Sequence, residues 1–201
     1  ATGMNDLRAC VSGLLEGLEA EVSIVVDVMF PIERLTRAVK AFDERFPTVK
    51  LRLHIEALGA VPQLVSTGRA TLAIGGGLHM GEHDLALFHA GSVAMLPVAS
   101  PDHPLAHASS IAAGEARRHR QLVLTVRSPY AEGSSVGIFA QDTWNLADLG
   151  AKHALLLAGL GWGSMPEPMI AADLASGRLV RLALPEGTGV YPFQGMYRPA
   201  H

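Results

Sequence analysis

The feature that most narrows the fold is a repeated switch between strand-like runs and helical spacing along the first third of the chain. Val22, Ile24, Val25 and Val26 form a β-branched run, the composition of a strand buried on both faces. Pro31 then opens a segment with Ile32, Leu35, Val39, Phe42 and Phe46 on one helical stripe. Pro47 closes it, because proline disfavours helical geometry in the residue before it. Leu51, Leu53 and Ile55 alternate with polar neighbours as a second strand. A short helix is expected after Pro62, stopping near Gly68, and Leu72–Ile74 reads as a third strand closed by Gly75, Gly76 and Gly77. Strand–helix–strand crossovers are nearly always right-handed and build parallel sheets.

Further along, the pattern changes. Val93–Val98 reads as a strand leading into a turn at Asp102-His103-Pro104-Leu105-Ala106. After two weak helical stretches, Leu122–Val126 begins a second sheet. A helix from about Asp148 to Ala158, with Asn145 and Asp148 in an N-cap arrangement, returns to a strand at Gly161–Met165. Pro166 opens a helix ended by Gly177, and Leu179–Leu182 and Phe193–Tyr197 are late strands. The second sheet is embedded in the chain, so the expected class is α/β with two lobes. The chain would cross near Val98 and again near Pro166, giving 21–98 with 167–201 as lobe I and 99–166 as lobe II. Leu7, Val11, Leu14, Leu15 and Leu18 sit at helical spacing with little of their own to pack on. Residues 1–20 therefore read as the end of a longer connecting helix.

Composition removes several function classes. The formal net charge is -3 and no block of like charges occurs, which argues against this segment gripping phosphates by itself. Cys10 is the single cysteine, so neither a disulfide framework nor a cysteine zinc site can be built. No apolar run approaches the ~20 residues that span a bilayer, and no basic-then-apolar leader opens the chain. A reducing cytoplasm is the simplest compartment. Three local patterns point elsewhere without support. Gly133-Ser134-Ser135-Val136-Gly137 matches a hydrolase elbow, but Ser128–Glu132 already reads as loop where a strand is required. The downstream Asp148 and His153 lie too close together for that fold. His79 and His83 have the spacing of a helical metal pair, yet Gly75–Gly77 and Gly81 flank them. Gly159-Leu160-Gly161-Trp162-Gly163 ends a helix and precedes a strand, the reverse of a dinucleotide fingerprint. No catalytic group, metal or cofactor is expected.

Three stretches, in order, resemble the effector domain of LysR-type transcriptional regulators along nearly all of the chain. Pro31-Ile32-Glu33-Arg34-Leu35, continuing to Ala41-Phe42-Asp43-Glu44-Arg45-Phe46-Pro47, is similar to that family's first regulatory-domain helix. His103-Pro104-Leu105-Ala106 resembles its turn after the first crossing. The most specific stretch is Ala158-Gly159-Leu160-Gly161-Trp162-Gly163-Ser164-Met165-Pro166, followed by Asp173-Leu174-Ala175-Ser176-Gly177-Arg178-Leu179. The resemblance implies a periplasmic-binding-protein-like fold of type 2, each lobe a mixed, mainly parallel sheet flanked by helices. It implies a small-molecule effector between the lobes, no enzymatic activity, and DNA binding through a winged helix-turn-helix expected before Ala1. A homodimer or homotetramer is expected through lobe helices, with Ile32–Phe46 and Asp148–Ala158 the candidates. The C-terminal helix that many members carry is expected to lie beyond His201.

In open α/β sheets, ligands sit beyond the carboxyl ends of strands. The turns meeting that description are Asp27-Val28-Met29-Phe30, Gly59-Ala60-Val61 and Arg127-Ser128-Pro129-Tyr130. The resemblance puts effector contacts at these turns, often with a Ser or Thr hydroxyl where this chain has Asp27. A carboxylate there would repel a carboxylate effector, so either the effector is cationic or polar, or Asp27 serves only to favour a helix start. Gly59 and Ala60 permit close backbone approach or merely form the turn. Ser128 would donate to a ligand or bond its own backbone, and Tyr130 would stack over the cleft or lie on the surface. Asp148 is a further candidate, although its spacing from Lys152 is that of a routine surface ion pair. Trp144 and Trp162 read as core or hinge packing. Two rival functions share parts of this reading. A solute-binding protein of a transporter has the same fold but should carry a leader or lipid-anchor cysteine, and Cys10 lies within a helical stripe. A small hydrolase would use Ser135.

Overall fold

The computed structural model describes residues 21–56, 61–76, 85–108, 110–112, 114–125 and 137–199. The chain forms two compact units, Ala1–Ser92 with Pro192–His201 and Val93–Tyr191.

In the first unit the β-branched run is strand β1, Glu21–Asp27, with Val22, Val25 and Val26 buried. It pairs in parallel with β2, Lys50–Glu56, and with β3, Leu72–Gly76. Between β1 and β2 runs helix α1, Ile32–Arg45, entered from Pro31 and ended where Phe46 N–H returns to Phe42 O at 2.9 Å. Helix α2, Val61–Ser66, joins β2 to β3. Val61 and Val65 pack with Val25, Ala70, Ala73 and Met196 into one buried cluster. Strand β9, Gly189–Tyr197, then runs antiparallel to β3, with β4, Ala86–Ala99, as its other neighbour. Two expectations shift here. Ile32 is 62% exposed at the first position of α1, so the buried stripe of that helix centres on Leu35. Strand β2 lies at the sheet edge, which leaves Leu53 and Ile55 exposed despite their alternation.

In the second unit, the later part of β4 pairs antiparallel with β7, Gly163–Pro166, and with β8, Val180–Arg181. Strand β5, Gln121–Leu124, pairs in parallel with β6, Thr143–Leu146, and touches the start of β7 through a parallel Gln121–Trp162 bridge. Helix α3, Leu149–Leu157, connects β6 to β7, and α4, Glu167–Ser176, follows β7. Trp162 is fully buried among Ala99, Leu105, Ala116, Leu182 and Leu184, and its Nε1–H donates to Ala116 O and His119 O, both at 3.2 Å. Glycine is required beside it. A Cβ on Gly161 would stand 2.7 Å from Arg120 O and one on Gly163 2.6 Å from Leu122 O, so the close strand approach excludes any side chain.

The chain path differs from the sequence expectation at several points. Strand β4 is 14 residues long rather than the short run Val93–Val98, and the unit boundary falls inside it, at Ser92/Val93. The return lies at Tyr191/Pro192 and not near Pro166, because α4 packs on β7 and β8, and β8 pairs with β4. Strand β6, only four residues long with Trp144 and Leu146 as its apolar positions, was not expected from the sequence. Asn145 belongs to it, so the N-cap of α3 is Asp148, whose Oδ1 accepts from Ala151 N–H at 2.6 Å. Trp144 is not packed in a core. It is 39% exposed on β6, with the Arg120 guanidinium 4.2 Å above its ring and Asp142 holding that arginine at 3.0 Å.

Candidate functional site

Strands β1 and β3 run in the same direction, so their carboxyl ends lie together in the first unit, where α/β sheets receive ligands. Asp27, the last residue of β1, is 1% exposed. Its Oδ1 accepts from Met29 N–H at 2.8 Å, and its carbonyl accepts from Phe30 N–H at 2.9 Å, fixing the tight turn into Pro31 and α1. The carboxylate orders this turn two residues ahead and does not act as the N-cap of α1, which is Pro31. Val28 is half-buried, with its N–H on Glu56 O at 2.9 Å, and Met29 is buried. Phe30 meets Phe193 edge-on with ring centroids 5.1 Å apart.

Val61 opens α2 and is 2% exposed, its Cγ1 lying 2.9 Å from the point where a Cβ on Gly75 would stand. Gly75 in turn pairs with Gln194 of β9. Asp27, Val28, Met29 and Val61 are thus gathered at one end of the first-unit sheet. Gly59, Ala60, Ser128 and Tyr130 lie outside the described residues, as do His79, His83 and residues 133–136 of the Gly133–Gly137 motif, Ser135 among them. Asp148 is in the second unit.

Buried polar groups that patterning did not single out are concentrated in the second unit. Gln121, 2% exposed, clamps the chain at 137–140. Its Oε1 accepts from Phe139 N–H at 2.8 Å and Ala140 N–H at 3.1 Å, and its Nε2 donates to Gly137 O at 2.6 Å. Lys152 makes no surface pair with Asp148. It is 4% exposed, its Nζ donates to Ser164 O at 2.7 Å, and burial lowers its pKa to about 8. Asp173, 2% exposed, holds His153 Nε2 at 2.7 Å and Arg178 Nη2 at 2.5 Å, joining α3 to the chain after α4. His103 Nδ1 accepts from Leu105 N–H at 3.2 Å, and burial, then the nearby His119 ring, pushes its pKa below the ordinary value. Among the described residues no group of three or more His, Cys, Asp or Glu could hold a metal ion. No helix of the described residues is long and apolar enough to cross a membrane. The first-unit site can accept hydrogen bonds and present apolar surface, which is binding chemistry.

A family model for the LysR substrate binding domain matches residues 15–201. The chain is 27% identical over 175 residues to the HTH-type transcriptional activator AllS of Klebsiella pneumoniae, covering 82% of this chain and 63% of that protein. It thus spans less than two thirds of the length of the curated relatives it matches, 61% in the case of the probable regulator YhaJ of Escherichia coli. The regulatory domain of MetR, a LysR family regulator from N. meningitidis, superposes with TM-score 0.68 at 18% identity, over 89% of this chain and 84% of that one. These neighbours share the type 2 periplasmic-binding-protein-like fold with this chain. The Synechocystis CcmR regulatory domain, solved in complex with 2-PG, superposes with TM-score 0.67 at 14% identity, over 89% and 87% of the two chains.

Proposed function

The chain belongs to the LysR substrate-binding domain family, and from that premise we propose that it is the effector-sensing part of a LysR-type transcriptional regulator. A small molecule binds where β1 and β3 end, in contact with Asp27, Val28, Met29 and Val61. Gly59, Ala60, Ser128, Tyr130 and Asp148 are the further effector contacts that the family resemblance suggests. The observation that supports this best is the buried Asp27 carboxylate, held at the strand end by Met29 N–H. A buried charge at a turn is a strong determinant of what can bind beside it. The complex of CcmR with 2-PG is a precedent for a small molecule on this fold.

Effector binding shifts the population of two arrangements of the domain, and the coupling is limited by the effector's differential affinity, typically about 1–3 kcal/mol. A winged helix-turn-helix preceding this segment reads that shift on DNA, in a cytoplasmic homodimer or homotetramer assembled through α1 and α3. The curated relatives are transcriptional regulators and not transporter components, and the family is one of regulatory domains rather than enzymes.

A thermal-shift screen with amines, amino acids, aromatic acids and sugar acids tests the reading. A ligand at about 100 times its Kd adds about 2.7 kcal/mol, several degrees for a chain of this size. Stabilisation by a cationic or zwitterionic compound that is lost in Asp27→Asn supports the site, since asparagine retains the acceptor for Met29 N–H and removes the charge. A carboxylate-only response leaves sensing in place and reduces Asp27 to a turn residue. Silence across every class contradicts sensing.

A further inference from the structure

We propose that the turn after β4 is an acid-operated latch: a proton taken up at His103 Nδ1 displaces the Leu105 N–H held there and loosens the second unit around Trp162. The inference goes beyond effector sensing, since it concerns the second unit alone and needs no ligand.

The sequence Ser100-Pro101-Asp102-His103-Pro104-Leu105-Ala106 dictates how this turn satisfies its backbone. His103 N–H donates to Ser100 O at 3.0 Å, and Ala106 N–H donates to His103 O at 2.8 Å. Pro104 has no N–H to give. Leu105 N–H takes a side chain as its acceptor, His103 Nδ1 at 3.2 Å. Both residues are buried, at 7% and 2% exposure, so neither has bulk water to turn to. An imidazole nitrogen accepts only while it carries no proton. The His103 ring is therefore neutral here, with its hydrogen on Nε2. A proton arriving at Nδ1 sets one N–H against another and ends the bond. Leu105 packs in the same buried cluster as Ala99, Ala116 and Trp162, so release of its N–H acts on the core of the unit.

The groups around the ring give an imidazolium no relief. The His119 ring meets it edge-on with centroids 5.4 Å apart, and a protonated His119 repels a second cation. His119 is not free to withdraw, because its carbonyl accepts from Trp162 Nε1–H and its N–H donates to Ala116 O, both at 3.2 Å. Among the described residues no carboxylate pairs with His103. Asp102 and His107, the other titratable groups of the turn, are exposed, as are Arg117 and Arg118 beside His119. Glu115 bonds Ala112 N–H at 3.2 Å, and Arg120 and Asp142 hold each other at 3.0 Å. Burial first, and His119 second, lower the His103 pKa from its ordinary 6.5. A group lowered in the folded state gives its full stability above the ordinary value and loses it as pH falls toward the folded one. The latch thus holds at neutral pH and yields to acid.

The test follows the chain by NMR and by urea unfolding from about pH 7.5 to about pH 5.5, on either side of the ordinary histidine value. The His103 ring should titrate below 6.5. Over the same range the Leu105 amide should lose hydrogen-exchange protection, corrected for the intrinsic pH dependence of exchange. His103→Asn sets an amide oxygen where Nδ1 stands and takes up no proton, so its Leu105 amide should stay protected at both ends of the range. Relative to that variant, the wild-type unfolding constant should rise by up to about tenfold per pH unit below 6.5. A histidine that only packs would leave the ratio of the two unfolding constants unchanged with pH, and that result overturns the proposal. Titration of His103 with Leu105 protection unaltered overturns it too, as does titration at or above 6.5. If His103→Asn does not fold, the wild-type titration and amide exchange decide between the same outcomes.

Discussion

Replacing Lys152 by methionine isolates the energetics of one buried charge. The side chain is 4% exposed, and its Nζ donates to Ser164 O at 2.7 Å. The parallel contact between β5 and the start of β7 consists of Trp162 N–H on Arg120 O and Leu122 N–H on Trp162 O. One step further, Ser164 O takes the ammonium as its donor. Burial lowers the lysine pKa from 10.5 to about 8. The interval between those values corresponds to about 3 kcal/mol of destabilisation whenever the folded protein must carry the charge. Between them the unfolded chain holds a proton that the folded one has released, so stability rises with pH across that window, and below it the full penalty applies. Methionine keeps the length and apolar character of the stem but leaves Ser164 O without its donor, a loss of about 1–3 kcal/mol that does not vary with pH. Urea unfolding of wild type and Lys152→Met near pH 7 and near pH 10 therefore separates the two effects. Relative to wild type, the variant should be about 2–3 kcal/mol better off at the lower pH than at the higher. A stability difference that stays constant between the two would refute the assignment of a desolvated charge at this position.

Two further outcomes follow from geometry alone. Gly163→Ala would place a Cβ 2.6 Å from Leu122 O and 3.1 Å from Lys152 Cε, so its urea midpoint should fall by the equivalent of about 1–3 kcal/mol; an unchanged midpoint would mean the strands separate freely. Asp148→Ala removes the cap of α3 and should cost about 1 kcal/mol, with Asp148→Asn recovering most of it; equal losses in both variants on chemical denaturation would show that charge, rather than capping, matters there.

Much of the architecture was legible because it depends on local chemistry. Branched residues at Val22–Val26, prolines at 31 and 166, and glycine at 177 set the strands, helix starts and helix stop where the structure has them. Parallel pairing of β1 with β2 and β3 follows from the crossovers between them. The family resemblance was carried by short ordered motifs, and Gly161 and Gly163 of the most specific one are explained by backbone carbonyls that exclude a Cβ.

What only the tertiary structure decided depends on neighbours distant in sequence. Thr143–Leu146 is too short for its own pattern to announce a strand, and pairing with β5 makes it one. Lys152, one turn from Asp148, has the spacing of a surface pair, yet β5 and β7 close over it and Ser164 O takes its proton donor. The late strand at Phe193–Tyr197, which contains Gln194, was readable. That Gln194 stands opposite Gly75 came from a strand order in which β9 joins β3, a pairing across more than half the chain that no local pattern specifies. Periodicity reports which face a side chain takes, and register across the sheet decides what it faces there.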